Sequence, residues 1–208
     1  MPYVIPRPLR KARIGAALGV ALLVSIVLPA AAGASCPSTS TTQPFLRFND
    51  SAKYSLVSNG AFESGASGWS LASSAVASGN ESYKVRSPND AKSLVVQPTG
   101  IATSPAFCVG IEHPSFRFFA RQVNGSWATL NVKLRWTGSD GKTNDTVVGS
   151  LNGSNGYTSW QPSPVFALAT TLPLWQAGQT ASVRIVFDPE DYGGAWAIDD
   201  VYVDPYRR

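Results

Sequence analysis

LVSNGAFESGASGWSL, residues 56–71, is the stretch on which the reading of this 208-residue chain turns. A turn signal, Asn59-Gly60, stands before the apolar–acidic pair Phe62-Glu63. A spacer of small residues follows and ends on Gly68-Trp69. Nothing like it recurs in the chain. Its surroundings must be sorted before it can be interpreted.

Upstream, residues 1–34 read as a secretory signal peptide. Arg7, Arg10, Lys11 and Arg13 make a basic start, residues 14–27 are almost wholly apolar, and Ala32-Gly33-Ala34 is a small-residue cleavage pattern. The apolar run, stretched to Ala34, could just span a bilayer as an uncleaved anchor. Pro29 and the small-residue tail favour cleavage, leaving a chain with no stable membrane insertion and a secreted or extracellular, cell-surface location. Four of the 17 Lys and Arg residues go with this segment, which leaves 13 against 13 acids. A neutral body removes the case that a basic pI would make for nucleic acid or acidic membranes.

The remainder is long enough for one domain with a good core. Residues 35–54 read as an extended lead-in and 55–208 as the domain. Cys36 and Cys108 are the only cysteines, and in an exported chain such a pair is expected to be a disulfide. A catalytic thiol would want a histidine, and the sole one, His113, precedes Pro114 in what reads as a turn.

Period two recurs after the signal segment. Phe116, Phe118 and Ala120 alternate with Arg117, Phe119 and Arg121. Leu130, Val132, Leu134 and Trp136 alternate with Asn131, Lys133 and Arg135, and Val183, Ile185 and Phe187 with Ser182, Arg184 and Val186. Shorter strand candidates are 82–85, 93–96, 106–109, 146–149, 160–168 and 196–203. Gly- and Asn-rich turns between them, such as residues 152–156 and 192–194, predict an all-β antiparallel sandwich or jelly roll.

The opening stretch resembles the first-strand motif of galactose-binding-like jelly rolls, as in many carbohydrate-binding modules, where an Asn-Gly, a Phe-Glu and a Gly-Trp fall in this order. WAIDDVYVD, residues 196–204, is similar to their closing strand, and the resemblance runs over residues 56–205. It implies neighbouring first and last strands, with Phe62 and Ile198 buried and Glu63 and Asp199 brought together. Two converging carboxylates are costly unless a cation neutralises them, and Ca²⁺ takes six to eight hard oxygens, carbonyls included. The resemblance implies a structural calcium held by Glu63, Asp199, the carbonyl of Ala61, the carbonyl of Lys92, and Asp90 or Asn89. Without a metal, Glu63 and Asp199 would be rim carboxylates satisfied by Lys92 or backbone N–H groups.

The resemblance also puts Trp69 and Trp160 in the core, and Trp136 lies on the apolar face of its strand. Trp127, Trp175 and Tyr192 fall in or beside turns, where exposed rings can stack on sugars. Arg117, Arg121, Lys133, Arg135 and Arg184 lie on three long strands that contain no acid, while six of the 13 acids crowd residues 188–204. If those strands share one sheet, their cations form a stripe suited to an acidic polysaccharide. The expectation is a secreted, non-enzymatic module for extracellular or cell-envelope carbohydrate. The alternative is a structural or protein-interaction domain of the cell surface with no sugar site.

Overall fold

The computed structural model describes residues 36–110, 115–124, 127–137, 141–168, 172, 179–190 and 192–204. The signal segment, Trp175 and His113 lie outside them. The described residues contain a short 3₁₀ turn, Leu46–Phe48, and eleven strands. These are β1 (Ser55–Leu56), β2 (Ser70–Ser78), β3 (Lys92–Thr103), β4 (Phe107–Gly110), β5 (Ser115–Gln122), β6 (Thr129–Thr137), β7 (Thr143–Asn152), β8 (Gln161–Pro162), β9 (Phe166–Ala167), β10 (Thr180–Pro189) and β11 (Trp196–Asp204). Every pairing is antiparallel. The strand order is β7-β6-β10-β3-β11-β5-β8, with β1 on β11, β2 on β3, β4 on β10 and β9 on β5.

The sheet curls so that strands far apart in this order face each other. Phe118 of β5 meets Phe187 of β10 at 4.8 Å, ring edge to ring face. The alternating residues fill the space between: Phe116, Phe118, Ala120, Leu130, Val132, Leu134, Val183, Ile185 and Phe187 are all fully buried in one cluster. Trp69 is buried there and Trp136 packs against its edge. Burying a large apolar side chain contributes about 1.5–3 kcal/mol, so this cluster dominates stability.

Residues 36–54 depart from the expected extended lead-in. Thr42 bridges to Tyr54 in an antiparallel pair, and the loop between them folds onto the outer face of β5 and β11. Phe45 stacks on Phe119 at 5.3 Å and meets Tyr54 and Tyr202 edge-on. Phe48 packs against Tyr83, and Trp160 and Ala197 complete this second cluster. The cause is legible in β5, whose second face also carries a large ring, Phe119. That face needs a cover, and the strap supplies it. The Cys36–Cys108 disulfide is formed and joins the start of the strap to β4.

Two strand expectations are corrected. Residues 82–85 form no strand, because the Glu81 carboxylate draws the backbone N–H groups of Tyr83 and Val85 to itself. β2 was not anticipated from SLASSAVAS, whose small side chains give weak β-propensity.

The opening stretch contributes little strand and much loop. Asn59, at φ 51°, organises the loop with its side chain. Its Nδ2 donates to the carbonyls of Gly65 and Ser67, and its Oδ1 accepts the N–H of Ser64. Gly60 is required by proximity, since a Cβ there would lie 2.8 Å from the Val201 carbonyl oxygen. Phe62 and Trp69 then meet at 4.8 Å inside the core.

Candidate functional site

The first and last strands are joined where the sequence pattern places them. Val57 donates to the Val201 carbonyl at 2.9 Å and Val201 to the Gly60 carbonyl at 3.1 Å. Here β11 bulges: its register against β5 shifts between Asp199 and Tyr202, and Asp200 takes φ 49°. The bulge turns two successive carboxylates inward.

Asp199 is fully buried. Its Oδ2 accepts the N–H of Glu81 at 2.9 Å and its Oδ1 the N–H of Asp200 at 2.8 Å. Burial, reinforced by the charge of Asp200, pushes its pKa up to about 9. Asp200 is equally buried, yet neither carboxylate oxygen has a hydrogen-bond partner. Burial raises its pKa to about 7, followed by the negative charges of Glu81 and Asp90. Arg86 opposes this, but its guanidinium is engaged bidentately by Asp90.

The remaining expected ligands are distributed around this pair. Glu63 is half-buried, and its Oε1 accepts the N–H groups of Ala91 and Lys92 at 2.8 and 2.9 Å. The ammonium of Lys92 donates to the Glu63 carbonyl. Ala61 is buried beside Phe62 in sequence. Among the described residues no three acid, His or Cys side chains form a ready metal cage. Any shell would have to draw on carbonyl oxygens. The carboxylate whose lone pairs remain open is Asp200, not Asp199. Strict alternation would point Asp200 away from Asp199, so the bulge concealed it from the sequence pattern.

The five strand cations do not share one face. β5 is separated from β10 and β6 by β3 and β11. Arg117 is buried under the strap and pairs with Asp50 at 2.8 Å. Arg121 lies over the Trp160 ring at 5.5 Å. Lys133 pairs with Asp188 and Arg135 with Asp145. Arg184 donates to the Ser104 carbonyl at 2.8 Å. The acids missing from these strands come from β7, from the end of β10 and from the strap.

Among the described residues two aromatics remain open. Trp127 is 74% and Tyr192 88% exposed, and their loops are pressed together. A Cβ at Gly193 would lie 2.6 Å from the Ala128 Cα, and one at Gly194 would lie 1.7 Å from the Asn124 carbonyl oxygen. Ala195 donates to the Asn124 Oδ1 at 2.7 Å and Glu190 to the Thr129 carbonyl at 2.9 Å. Two glycines therefore let the turn before β11 lie flat on the turn before β6, and each turn presents one bare ring. Tyr157, by contrast, is buried against Trp196.

The tandem pair of family 22 carbohydrate-binding modules of Paenibacillus barcinonensis superposes at a TM-score of 0.51, with 11% identity, over 86% of this chain and 48% of that one. The shared fold is an antiparallel β-sandwich jelly roll. A single family 22 module from Clostridium thermocellum aligns at a TM-score of 0.47 and 15% identity, over 70% of this chain and 91% of that one. A CBM61 module solved with β-1,4-galactotriose aligns at 0.45 and 17%, over 74% and 98%. No protein-family model and no curated protein matches the sequence. At these identities the jelly roll is what is shared, and a fold of this kind serves many roles.

Proposed function

We propose that this chain is an exported, non-catalytic carbohydrate-binding domain that takes sugar at its loop end through Trp127 and Tyr192. The observation that carries the reading is the adjacency of the turns bearing these two rings, held by Gly193 and Gly194. Rings left open to water on neighbouring, hydrogen-bonded turns supply apolar contact at little ordering cost, and sugar faces stack on such surfaces. The disulfide, together with the signal-like segment, supports an oxidising, extracellular destination.

Glycoside hydrolysis requires two carboxylates flanking an open cleft. Asp199 is sealed in the interior and Glu63 accepts backbone N–H groups, which favours binding over hydrolysis. A structural Ca²⁺ at the β1–β11 junction belongs to the same proposal. Asp200 would hold it, with Glu63 and the carbonyls of Ala61 and Lys92 as further oxygens. The ion would neutralise carboxylates that burial otherwise forces toward protonation.

A glycan array on residues 35–208, with and without calcium, tests the reading alongside Trp127→Ala and Tyr192→Ala. Each substitution is expected to weaken the glycan bound by the wild type at least tenfold, with an unchanged melting temperature. Absence of any glycan binding by the wild type would leave a surface interaction domain as the conclusion.

A further inference from the structure

The three strands β7, β6 and β10 carry a second polar site, at the end of β6 opposite Trp127. Alternation turns Leu134, Val183 and Ile185 into the core and leaves Arg135, Thr137, Thr143, Asp145, Ser182 and Arg184 on the outer face. Register places them in rows. Arg135 lies directly opposite Arg184 on one side and Asp145 on the other, and Thr137 lies opposite Thr143. Like charges directly opposite on neighbouring strands destabilise a sheet unless something lies between them.

The acid beside this pair of guanidiniums engages Arg135 alone. Arg135 gives its Nε and Nη2 to the two oxygens of Asp145 at 2.7 Å each. The hydrogen bonds from Arg135 lower the pKa of Asp145. Among the described residues Arg184 reaches the Ser104 carbonyl alone, through Nη1. No carboxylate stands within ion-pair distance of it among the described residues. Between these groups lies a cavity of about 280 Å³ lined by Arg135, Thr137, Thr143, Ser182 and Arg184, with Ala106 and Trp136 as apolar wall. That far exceeds the ~10–15 Å³ that a single water needs, and leaves room for a sugar ring with its substituent rather than a bare ion.

We propose that this cavity binds a singly charged oxyanion carried on a sugar, the carboxylate of a uronate or the ester of a sulfated residue. The remaining Nε and Nη2 donors of Arg184 would hold it, with the Ser182 and Thr143 hydroxyls beside them. Guanidinium forks suit both oxyanions. The occupant would also neutralise the unbalanced charge of the Arg135–Arg184 row. This site is distinct from the Trp127–Tyr192 surface and does not depend on it.

The experiment is calorimetric titration of residues 35–208 with three oligosaccharide probes: an oligogalacturonate, a sulfated galacto-oligosaccharide and a neutral galacto-oligosaccharide, at low and high salt. The wild type should bind at least one acidic probe, and the preferred arm identifies carboxylate or sulfate as the group recognised. Arg184→Gln should weaken that probe at least tenfold. Ser182→Glu should do the same while leaving both arginines in place, and its melting temperature checks the fold. Lys53→Gln removes an exposed cation elsewhere and should leave the affinity within twofold. Trp127→Ala should reduce binding of the neutral probe only, which separates this site from the loop end. Failure of both acidic probes to bind at low salt, full binding by Arg184→Gln, or equal loss in Lys53→Gln would each overturn the proposal.

Discussion

The Asp50 carboxylate accepts from the Arg117 guanidinium at 2.8 Å, across 67 positions of sequence and with both side chains almost sealed from water. This pair fastens the N-terminal strap to β5. Asp50 also accepts from the Tyr54 hydroxyl at 2.6 Å, and Arg117 donates twice to the Ser163 carbonyl. The Phe45 ring lies 4.5 Å from the same guanidinium.

Removing one member of a buried pair leaves the other charge uncompensated, typically at a cost of about 3–5 kcal/mol. Asp50→Asn should accordingly lower stability by about 3 kcal/mol in denaturant titration. Asp50→Asn together with Arg117→Met should recover part of that loss. A single variant as stable as the wild type would mean that the rings and the disulfide hold the strap without this pair.

The disulfide fastens the other end of the strap. Purified protein should show no free thiol, and its intact mass should rise by that of two hydrogen atoms when a reductant supplies two electrons and two protons. Replacing both Cys36 and Cys108 by Ser should cost about 2–4 kcal/mol. It should also make residues 36–54 the first part of the chain cut in limited proteolysis. Cleavage elsewhere at the same rate would argue against a covalently anchored strap.

Gly60 offers a sharper test of the junction between the chain's two ends. A methyl at this position would meet the Val201 and Val57 carbonyl oxygens at 2.8 and 3.0 Å. Backbone atoms cannot swing aside as a side chain can. Gly60→Ala should destabilise by about 1–3 kcal/mol. Gly65→Ala, in the same loop with open space around its Cα, should cost about 1 kcal/mol from its positive φ alone. Equal effects would sink the close-approach argument.

The buried aspartates predict an unusual pH response. Both are raised from 3.8, Asp199 to about 9 and Asp200 to about 7. The folded state then binds more protons than the unfolded one between those values. The stability linked to these groups is full below the unfolded pKa and is lost as pH rises through the folded one. In chelator, unfolding free energy should therefore increase as pH is lowered from about 9 to about 5, by up to roughly 1.4 kcal/mol per pH unit while one group carries the difference, and the melting temperature should rise with it. Calcium should flatten that slope by stabilising the ionised carboxylates. Asp200→Asn should remove its own share of the slope and abolish the response to calcium. A wild type with neither a calcium response nor bound metal would refute the ion at this site.

The sequence was informative where one physical force decides the outcome. Alternation in β5, β6 and β10 reports a buried face, so those strands and their core residues were legible. It was silent on β2, where alanine and serine carry little signal, and on the strap, whose role depends on a face formed by β5 and β11 together. The aspartates illustrate the limit best. The resemblance brought Asp199 toward Glu63 and said nothing of Asp200, because a bulge shifts side-chain direction by one residue and only the backbone reveals which aspartate is left without partners. The five cations failed as a group for a related reason, since strand adjacency is not written in period two. Trp127 and Tyr192 could be named as exposed, whereas the contact between their turns required the glycine packing to be seen.

The position of β11 bears on the order in which the protein is made. This strand, residues 196–204, lies between β3 and β5 and also carries β1, so the centre of the sheet is translated after its flanks. While a ribosome is still short of Trp196, β3 and β5 each present an open edge, the condition under which strands seek foreign partners. Such distant pairing is slow to form. A chain interrupted there would not be a smaller version of the domain but two unjoined half-sheets exposed to aggregation and proteolysis.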